Sequence, residues 1–173
     1  MTKAPRSAWI GLAVLALPCM ITVMDITVLN LAVPQISAAL QPTGTQLLWI
    51  IDMYGFMLAG ALMPIGSLGD RVGRRKLLLI GAATFGIAST LAAFSTSPLM
   101  LIATRGLLGL AGAALAPSTL SLVRMLFEDE RERATAMGVW GASFAVGAAI
   151  GPVVGGVLLE HFWWDPCFCP ACR

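Results

Sequence analysis

The sequence predicts an all-α integral membrane protein with five transmembrane helices, and three observations support that prediction. The 173 residues are 58% hydrophobic and only 12% charged, whereas a soluble domain has about 25% charged residues. The apolar residues fall into five runs, each near the ~20 residues that a helix needs to cross a bilayer. Most of the basic residues lie in the N-terminal segment and in short connections between those runs, a distribution that does not fit a nucleic-acid-binding surface.

The predicted spans follow one another with short connections. A segment of residues 1–8 precedes the first apolar run, which is too long for a signal peptide and therefore predicts a retained helix. Pro34 ends that helix, and an uncharged outer loop continues to Gly44. Pro98 stands at a favoured helix start, directly after a Ser-Thr-Ser turn. The five predicted spans cover residues 9–33, 45–68, 77–94, 98–127 and 134–159.

The positions of the basic residues predict the orientation of the chain. Lysine and arginine occur in the N-terminal segment and in the second and fourth connections, whereas the first and third connections have none. Because basic loops stay in the cytoplasm, this asymmetry predicts a cytoplasmic N-terminus in a multi-pass protein of the plasma membrane, the inner membrane in bacteria. The residues concerned are Lys3, Arg6, Arg71, Arg74, Arg75, Lys76, Arg131 and Arg133.

Three ionisable residues, Asp25, Asp52 and Arg105, lie well inside the predicted spans. At a rise of ~1.5 Å per residue, Asp25 lies about 12 Å and the other two about 10 Å from the outer ends of their helices. The sequence thus predicts one layer of two carboxylates and one guanidinium. One acid pairs with the arginine, and the other is left for a proton or a cation, which is the minimal chemistry of an antiporter. The alternative is that these charges only hold helices together.

One face of the second helix carries aromatic and flexible apolar side chains beside an acid. Trp49, Phe56 and Met63 share this face with Asp52 at helical spacing. Aromatic rings around a carboxylate attract lipophilic cations through charge and cation–π interactions, so this face is predicted to contact substrate. Alternatively, Trp49 is an interfacial anchor and Phe56 meets lipid.

A short basic turn at residues 66–76 separates the second and third predicted helices. It contains four of the eleven basic residues of the chain, and its glycines are expected to permit a sharp backbone reversal. It predicts a cytoplasmic loop, whose simplest role is to orient the protein. The residues assigned to the loop are Gly66, Asp70, Arg71, Gly73, Arg74 and Arg75.

Glycines recur every four residues in the fifth predicted helix. Gly147, Gly151 and Gly155 therefore share one helix face, with Gly156 beside them. Such a face lets another backbone approach closely. Pro152 removes a backbone hydrogen bond and favours a kink. The pattern predicts tight helix packing with a bend.

Several of these motifs resemble the major facilitator superfamily. The turn at residues 66–76 resembles the loop between its helices 2 and 3. Residues 25–34 resemble the helix-1 signature of its fourteen-helix drug/proton antiporters, the group of quaternary-ammonium and methyl-viologen efflux proteins. Residues 105–109 resemble a helix-4 motif whose arginine is tied to proton transfer, with Leu108 where glutamine is frequent. The glycine pattern of helix 5 resembles the antiporter motif, and the whole resemblance covers residues 9–164.

This resemblance implies the incomplete N-terminal half of a major facilitator fold. For the intact parent it implies proton-coupled efflux of lipophilic or quaternary cations, with Asp25 and Asp52 as proton or cation acceptors and Arg105 as their modulator. It also implies a cytoplasmic gate at residues 66–76 and a close-packed hinge in helix 5. The implied partners are protons, cationic small molecules, lipid and further helices or other chains, without a cofactor or nucleic acid.

Residues 165–173 break the pattern. Their three cysteines and His161 nominally supply four zinc ligands, but the abrupt change of composition is more typical of a truncation or a shifted reading frame. An inactive or purely associative membrane fragment without transport of its own therefore remains an alternative. A membrane enzyme is disfavoured, because the sequence offers no visible nucleophile–base pair.

Overall fold

The computed structural model describes the backbone of residues 6–161 and the side chains of residues 6–157. Within that range the chain forms five α-helices with very short connections. Each is long and apolar enough to cross a membrane, which confirms the predicted fold class. The helices are α1 (Arg6–Leu40), α2 (Gly44–Val72), α3 (Arg74–Ala93), α4 (Pro98–Leu126) and α5 (Glu130–His161). The cysteine-rich tail and its zinc alternative lie outside the described residues.

The connection between α1 and α2 is shorter than the sequence suggested. Pro34 lies inside α1, which continues to Leu40, so the prediction that this proline ends the helix is wrong. Membrane helices tolerate proline because neighbouring groups satisfy the freed carbonyl. A capping box then fixes the start of α2: the Thr43 hydroxyl accepts a bond of 3.3 Å from the Gln46 amide N–H, and Gln46 Oε1 accepts one of 2.9 Å from the Thr43 N–H.

The basic turn between α2 and α3 contracts to a single residue. α2 continues through Val72 and α3 starts at Arg74, so most of residues 66–76 are helical and not a loop. Gly73 alone makes the reversal, with φ +102° and ψ 130°, a conformation that side-chain-bearing residues rarely adopt. Gly66, which was expected to help the reversal, lies inside α2 with no atom within 4 Å of where a Cβ would be.

The fourth connection is also short, because α5 starts at Glu130 and takes in most of the predicted charged loop. Arg133 lies in the first turn of α5 and closes the end of α4. Its Nε donates to the Phe127 carbonyl oxygen at 3.0 Å, and its Nη2 donates to the Glu128 carbonyl oxygen at 3.0 Å. These carbonyls directly follow the last residue of α4, where intrahelical partners are missing.

The centre of the bundle is α4, which packs extensively against α2 and α3 and less extensively against α1 and α5. Nine of its fourteen buried residues are glycine, alanine, serine or threonine, so neighbouring helices approach closely. A Cβ at Gly109 would lie 2.5 Å from the Tyr54 carbonyl oxygen of α2, and one at Gly81 of α3 would lie 3.0 Å from the Ala114 Cβ. The other main contact joins α1 to α5.

Candidate functional site: a buried ion pair between helices

The predicted charge layer contains one ion pair. Arg105 Nη1 of α4 donates to Asp25 Oδ2 of α1 at 2.6 Å. The Arg105 side chain is 3% exposed and that of Asp25 is 19% exposed. Sequence reasoning left open which of the two acids pairs with the arginine. In the structure the partner is the acid of α1.

Arg105 has a second neighbour that the sequence analysis did not single out. Its guanidinium carbon lies 4.9 Å from the centre of the Tyr54 ring of α2, within the range of a cation–π contact. Neither Arg105 Nε nor the Tyr54 hydroxyl has a hydrogen-bond partner among the described residues, although both atoms are buried. One signal for this residue was available: Tyr54 is the only tyrosine of the chain, and it lies two positions after Asp52.

Asp52 lies at a similar level but on another side of α2. A Cβ at Gly106 would lie 3.5 Å from Met53 Cγ, so the helical turn that holds Asp52 is level with the turn that holds Arg105. The Asp52 side chain is exposed on the described chain and makes no hydrogen bond or ion pair among the described residues. It borders an open depression of about 340 Å³ whose other lining residues are Gly44, Leu47, Leu48 and Ile51.

The predicted substrate-facing residues form an exposed stripe along α2. Trp49 is 43%, Phe56 64% and Met63 86% exposed. The Trp49 and Phe56 rings lie 6.1 Å apart between centroids and are tilted by 44°. Asp52 lies between them in sequence and is exposed as they are. The structure therefore brings the acid and the two rings to one uncovered face of the described bundle.

At the opposite end of α2, Asp70 and Arg74 form a second ion pair across the Gly73 reversal. Arg74 Nη2 lies 2.6 Å from Asp70 Oδ1, with side-chain exposures of 22% and 68%. Arg71 and Arg75 are exposed beside it. The pair ties the end of α2 to the start of α3.

The glycine face of α5 lies directly on α1. A Cβ at Gly147 would lie 2.6 Å from the Met20 carbonyl oxygen, and one at Gly155 would lie 2.9 Å from Val28 Cγ2. A Cβ at Gly151 would collide with the Thr27 hydroxyl. The contact therefore lies alongside the segment of α1 that contains Asp25.

The other two residues of the helix-5 motif do not share this contact. Pro152 is inside α5 and exposed. Gly156 is also exposed, with no atom within 4 Å of where a Cβ would be. The packing predicted for Gly156 is thus absent from the described residues, because its helical position turns it away from α1.

A small polar cluster joins α1, α4 and α5 at positions that precede Asp25 in α1 and follow Arg105 in α4. Cys19 Sγ of α1 lies 3.4 Å from the Thr119 hydroxyl of α4. Trp140 Nε1 of α5 donates to the same hydroxyl at 3.2 Å. Cys19 is 2% exposed. It is therefore a buried residue, and it adds a weak sulfur hydrogen bond to that packing.

Five helices of membrane-spanning length, with an ion pair buried between two of them, define a polytopic membrane protein, and intramembrane charges of this kind mark ion and substrate pathways. The comparison with known families agrees with this class. The chain belongs to the Major Facilitator Superfamily, whose model matches residues 15–169. The match extends past Trp164, where the sequence analysis placed the end of the resemblance.

Several curated relatives are resistance or efflux proteins. The chain is 51% identical over 167 residues to the multidrug efflux pump LfrA of Mycolicibacterium smegmatis, covering 96% of this chain and 33% of that protein. It is 46% identical to the methyl viologen resistance protein SmvA of Salmonella typhimurium, covering 92% and 32%. It is 38% identical to the puromycin resistance protein of Streptomyces alboniger, covering 94% and 32%. The chain thus spans about a third of the length of these relatives.

Proposed function

We propose that this chain is the N-terminal part of a proton-driven exporter of lipophilic and quaternary cations. The observation that supports the proposal is the unequal environment of the two intramembrane acids, because Asp25 is paired with Arg105 and Asp52 has no partner among the described residues. Relatives that are a multidrug efflux pump and a methyl viologen resistance protein support export. Methyl viologen is itself a quaternary dication.

The charges of this layer explain how a proton and a cation compete. Two carboxylates and one guanidinium leave one negative charge, which a lipophilic cation neutralises beside Asp52, with the Trp49 and Phe56 rings as aromatic contacts. A proton on Asp52 removes that charge directly. A proton on Asp25 removes it from the layer as a whole, because the charge of Arg105 then offsets the charge of Asp52. Each ligand therefore promotes the release of the other, as exchange requires.

The exposure of Asp52 supports a site that further protein completes. A charged side chain facing lipid at the centre of a membrane helix costs about 2.5–3.5 kcal/mol even on the mildest scale. We therefore expect Asp52 and the stripe of Trp49, Phe56 and Met63 to face further helices or a water-filled cavity. Alternating access needs two halves that rock about a midplane site, so this chain is expected to transport only together with the remaining helices or with other chains.

In this proposal two regions move: the turn between α2 and α3, and the contact between α5 and α1. The Asp70–Arg74 pair and Gly73 form a gate on the cytoplasmic side, with the N-terminus in the cytoplasm of a cell whose plasma membrane holds the protein. The contact of the α5 glycines with α1 acts as a hinge beside Asp25. The gate is assigned from the position of the ion pair at the end of α2, the helix that also holds Asp52. The hinge is assigned from the contact of the α5 glycines with the segment of α1 that holds Asp25.

Efflux by an assembled transporter tests the proposal. The assembled transporter is this chain joined to the part of LfrA that it does not match. In inverted vesicles with a proton gradient, we expect it to move methyl viologen and a quaternary ammonium dye. Asp52→Asn is expected to lower the rate at least about tenfold, since one charge contact in a partly buried site is worth about 1.4 kcal/mol or more.

The conservative Asp52→Glu variant serves as the matched control, because it keeps the charge. Membrane insertion of every variant is measured in the same vesicles. Unchanged efflux with unchanged pH dependence in both Asp25→Asn and Asp52→Asn would contradict the coupling role of the acids. Efflux by the isolated chain would contradict the need for further helices.

A further inference from the structure

The contact between Arg105 and Tyr54 places an aromatic ring face at cation–π distance from the buried guanidinium. The guanidinium carbon lies 4.9 Å from the ring centre, and Tyr54 is 4% exposed. Asp25 contacts the guanidinium at Nη1. The cation therefore has two compensating neighbours, a carboxylate from α1 and a ring face from α2.

The ring is held in place by the glycines of α4. A Cβ at Gly109 would lie 2.5 Å from the Tyr54 carbonyl oxygen, and one at Gly112 would lie 2.9 Å from the Tyr54 hydroxyl and 3.5 Å from Cζ. The same helix that supplies Arg105 thus carries the hollow that seats Tyr54. Because buried side chains in close packing stay in their rotamers, the ring keeps its position independently of Asp25.

The exchange cycle gives this second neighbour a purpose. When Asp25 takes a proton, the carboxylate is lost as a counter-ion to Arg105, whose side chain is 3% exposed in this structure. A buried cation without a compensating group is unfavourable. The electron-rich face of an aromatic ring compensates the cation without taking up or releasing a proton. An aromatic ring at this position keeps the guanidinium in the charge layer while its ion pair is open.

We propose that Tyr54 is a positioning residue for Arg105: its ring is the second seat of the guanidinium and holds it in the charge layer when Asp25 is neutral. This inference deepens the proposed function, because it rests on Asp25 releasing Arg105 during the exchange of proton and cation. The ring face performs this role, and the phenolic hydroxyl is not needed for it.

Hydrogen exchange of the Arg105 guanidinium in the intact 173-residue chain tests the second seat without transport. Asp25→Asn imitates the protonated acid, and nitrogen-15 NMR in lipid nanodiscs follows exchange of the Arg105 Nε–H proton with water. The signal is assigned by its loss in Arg105→Lys. We expect exchange to be about tenfold faster in Asp25→Asn/Tyr54→Leu than in Asp25→Asn, from the usual strength of a desolvated cation–π contact.

Two controls separate the seat from general packing. Asp25→Asn/Tyr54→Phe keeps the ring and is expected to exchange at the rate of Asp25→Asn. Phe85→Leu removes a ring of similar size from the same apolar cluster, in which Phe85 is 5% exposed, and in the Asp25→Asn background it is expected to leave the rate unchanged. If the leucine variant is not recovered from membranes, Tyr54→Met replaces it, because methionine is also a large apolar side chain without a ring. Equal rates with and without the ring, or equal acceleration by Phe85→Leu, would overturn the inference.

Transport by the assembled transporter gives an independent reading. Loss of the ring is expected to change the pH dependence of efflux, and Tyr54→Phe is expected to restore it. If efflux fails altogether but the exchange experiment gives the expected rates, the proposed function is wrong and the second seat stands. If efflux is proton-driven and the exchange rates are equal, the second seat is wrong and the proposed function stands.

Discussion

Replacing Asp25 by leucine is expected to lower the free energy of unfolding by about 3–5 kcal/mol, because it leaves the buried Arg105 guanidinium without its counter-ion. The value is expected at the lower end of this range, since the Asp25 side chain is 19% exposed and water reaches it. Denaturant titration of the purified chain in micelles, followed by circular dichroism, measures the change. The double variant Asp25→Leu/Arg105→Met is expected to regain most of the loss, as apolar pairs often replace buried ion pairs without cost.

A matched control is built into the same chain. Asp70 and Arg74 are also 2.6 Å apart, but Asp70 is 68% exposed. Asp70→Leu is therefore expected to cost less than about 1 kcal/mol, the usual range for a surface ion pair. Equal losses from Asp25→Leu and Asp70→Leu, or additive losses in the double variant of the buried pair, would show that Asp25 and Arg105 do not stabilise each other in the membrane-spanning bundle.

Gly151→Val is expected to separate α5 from α1, lower the free energy of unfolding by about 1–3 kcal/mol and abolish efflux by the assembled transporter. A Cβ at this position collides with the Thr27 hydroxyl, and Thr27 donates to the Met24 carbonyl oxygen at 2.9 Å one turn earlier in α1. Valine adds two further methyl groups that the contact does not accommodate. Denaturant titration and vesicle efflux measure the two effects.

Gly156→Val is the control for that substitution. It makes the same chemical change in the same motif, at a position with no atom within 4 Å of where a Cβ would be. We expect stability and efflux close to those of the unsubstituted protein. Full activity in Gly151→Val would show that the glycine face is not tightly packed, and a similar loss in Gly156→Val would show that further protein covers the opposite side of α5.

The fold class was predictable because membrane-spanning helices are recognised by length and composition. The helix boundaries were less predictable, because proline and glycine, which often end helices in soluble proteins, also occur inside membrane helices. Pro34 does not end α1, since a membrane helix gives its backbone no water with which to replace the lost bonds. Gly66 is helical for the same reason, and of the described glycines only Gly73 has a positive φ.

The charge layer was predictable in its members and incompletely in its pairing. Spacing along each helix gave similar heights for Asp25, Asp52 and Arg105, but the choice of partner depends on helix rotation. The face of α2 that packs against α4 carries Tyr54 and Met53, so Asp52 is turned away even though α2 and α4 pack extensively. Sequence periodicity did not reveal that rotation, because α2 is apolar on several sides.

The role of Tyr54 illustrates the same limit. Its sequence signal was a single tyrosine within an apolar run, which is equally typical of a core residue. Only the contact with the Arg105 guanidinium and the fit of the ring against Gly109 and Gly112 give it a specific role. Such contacts between helices distant in sequence depend on the packing of the whole bundle.

Proton release on cation binding tests most directly the claim that one uncompensated acid serves both ligands. The purified assembled transporter is mixed with methyl viologen in weakly buffered solution, and the pH change is followed together with the affinity. The account predicts proton release on binding, and weaker binding without release in Asp52→Asn. Cation binding without proton release at any pH, or release and affinity in Asp52→Asn equal to those of the unsubstituted protein, would contradict it.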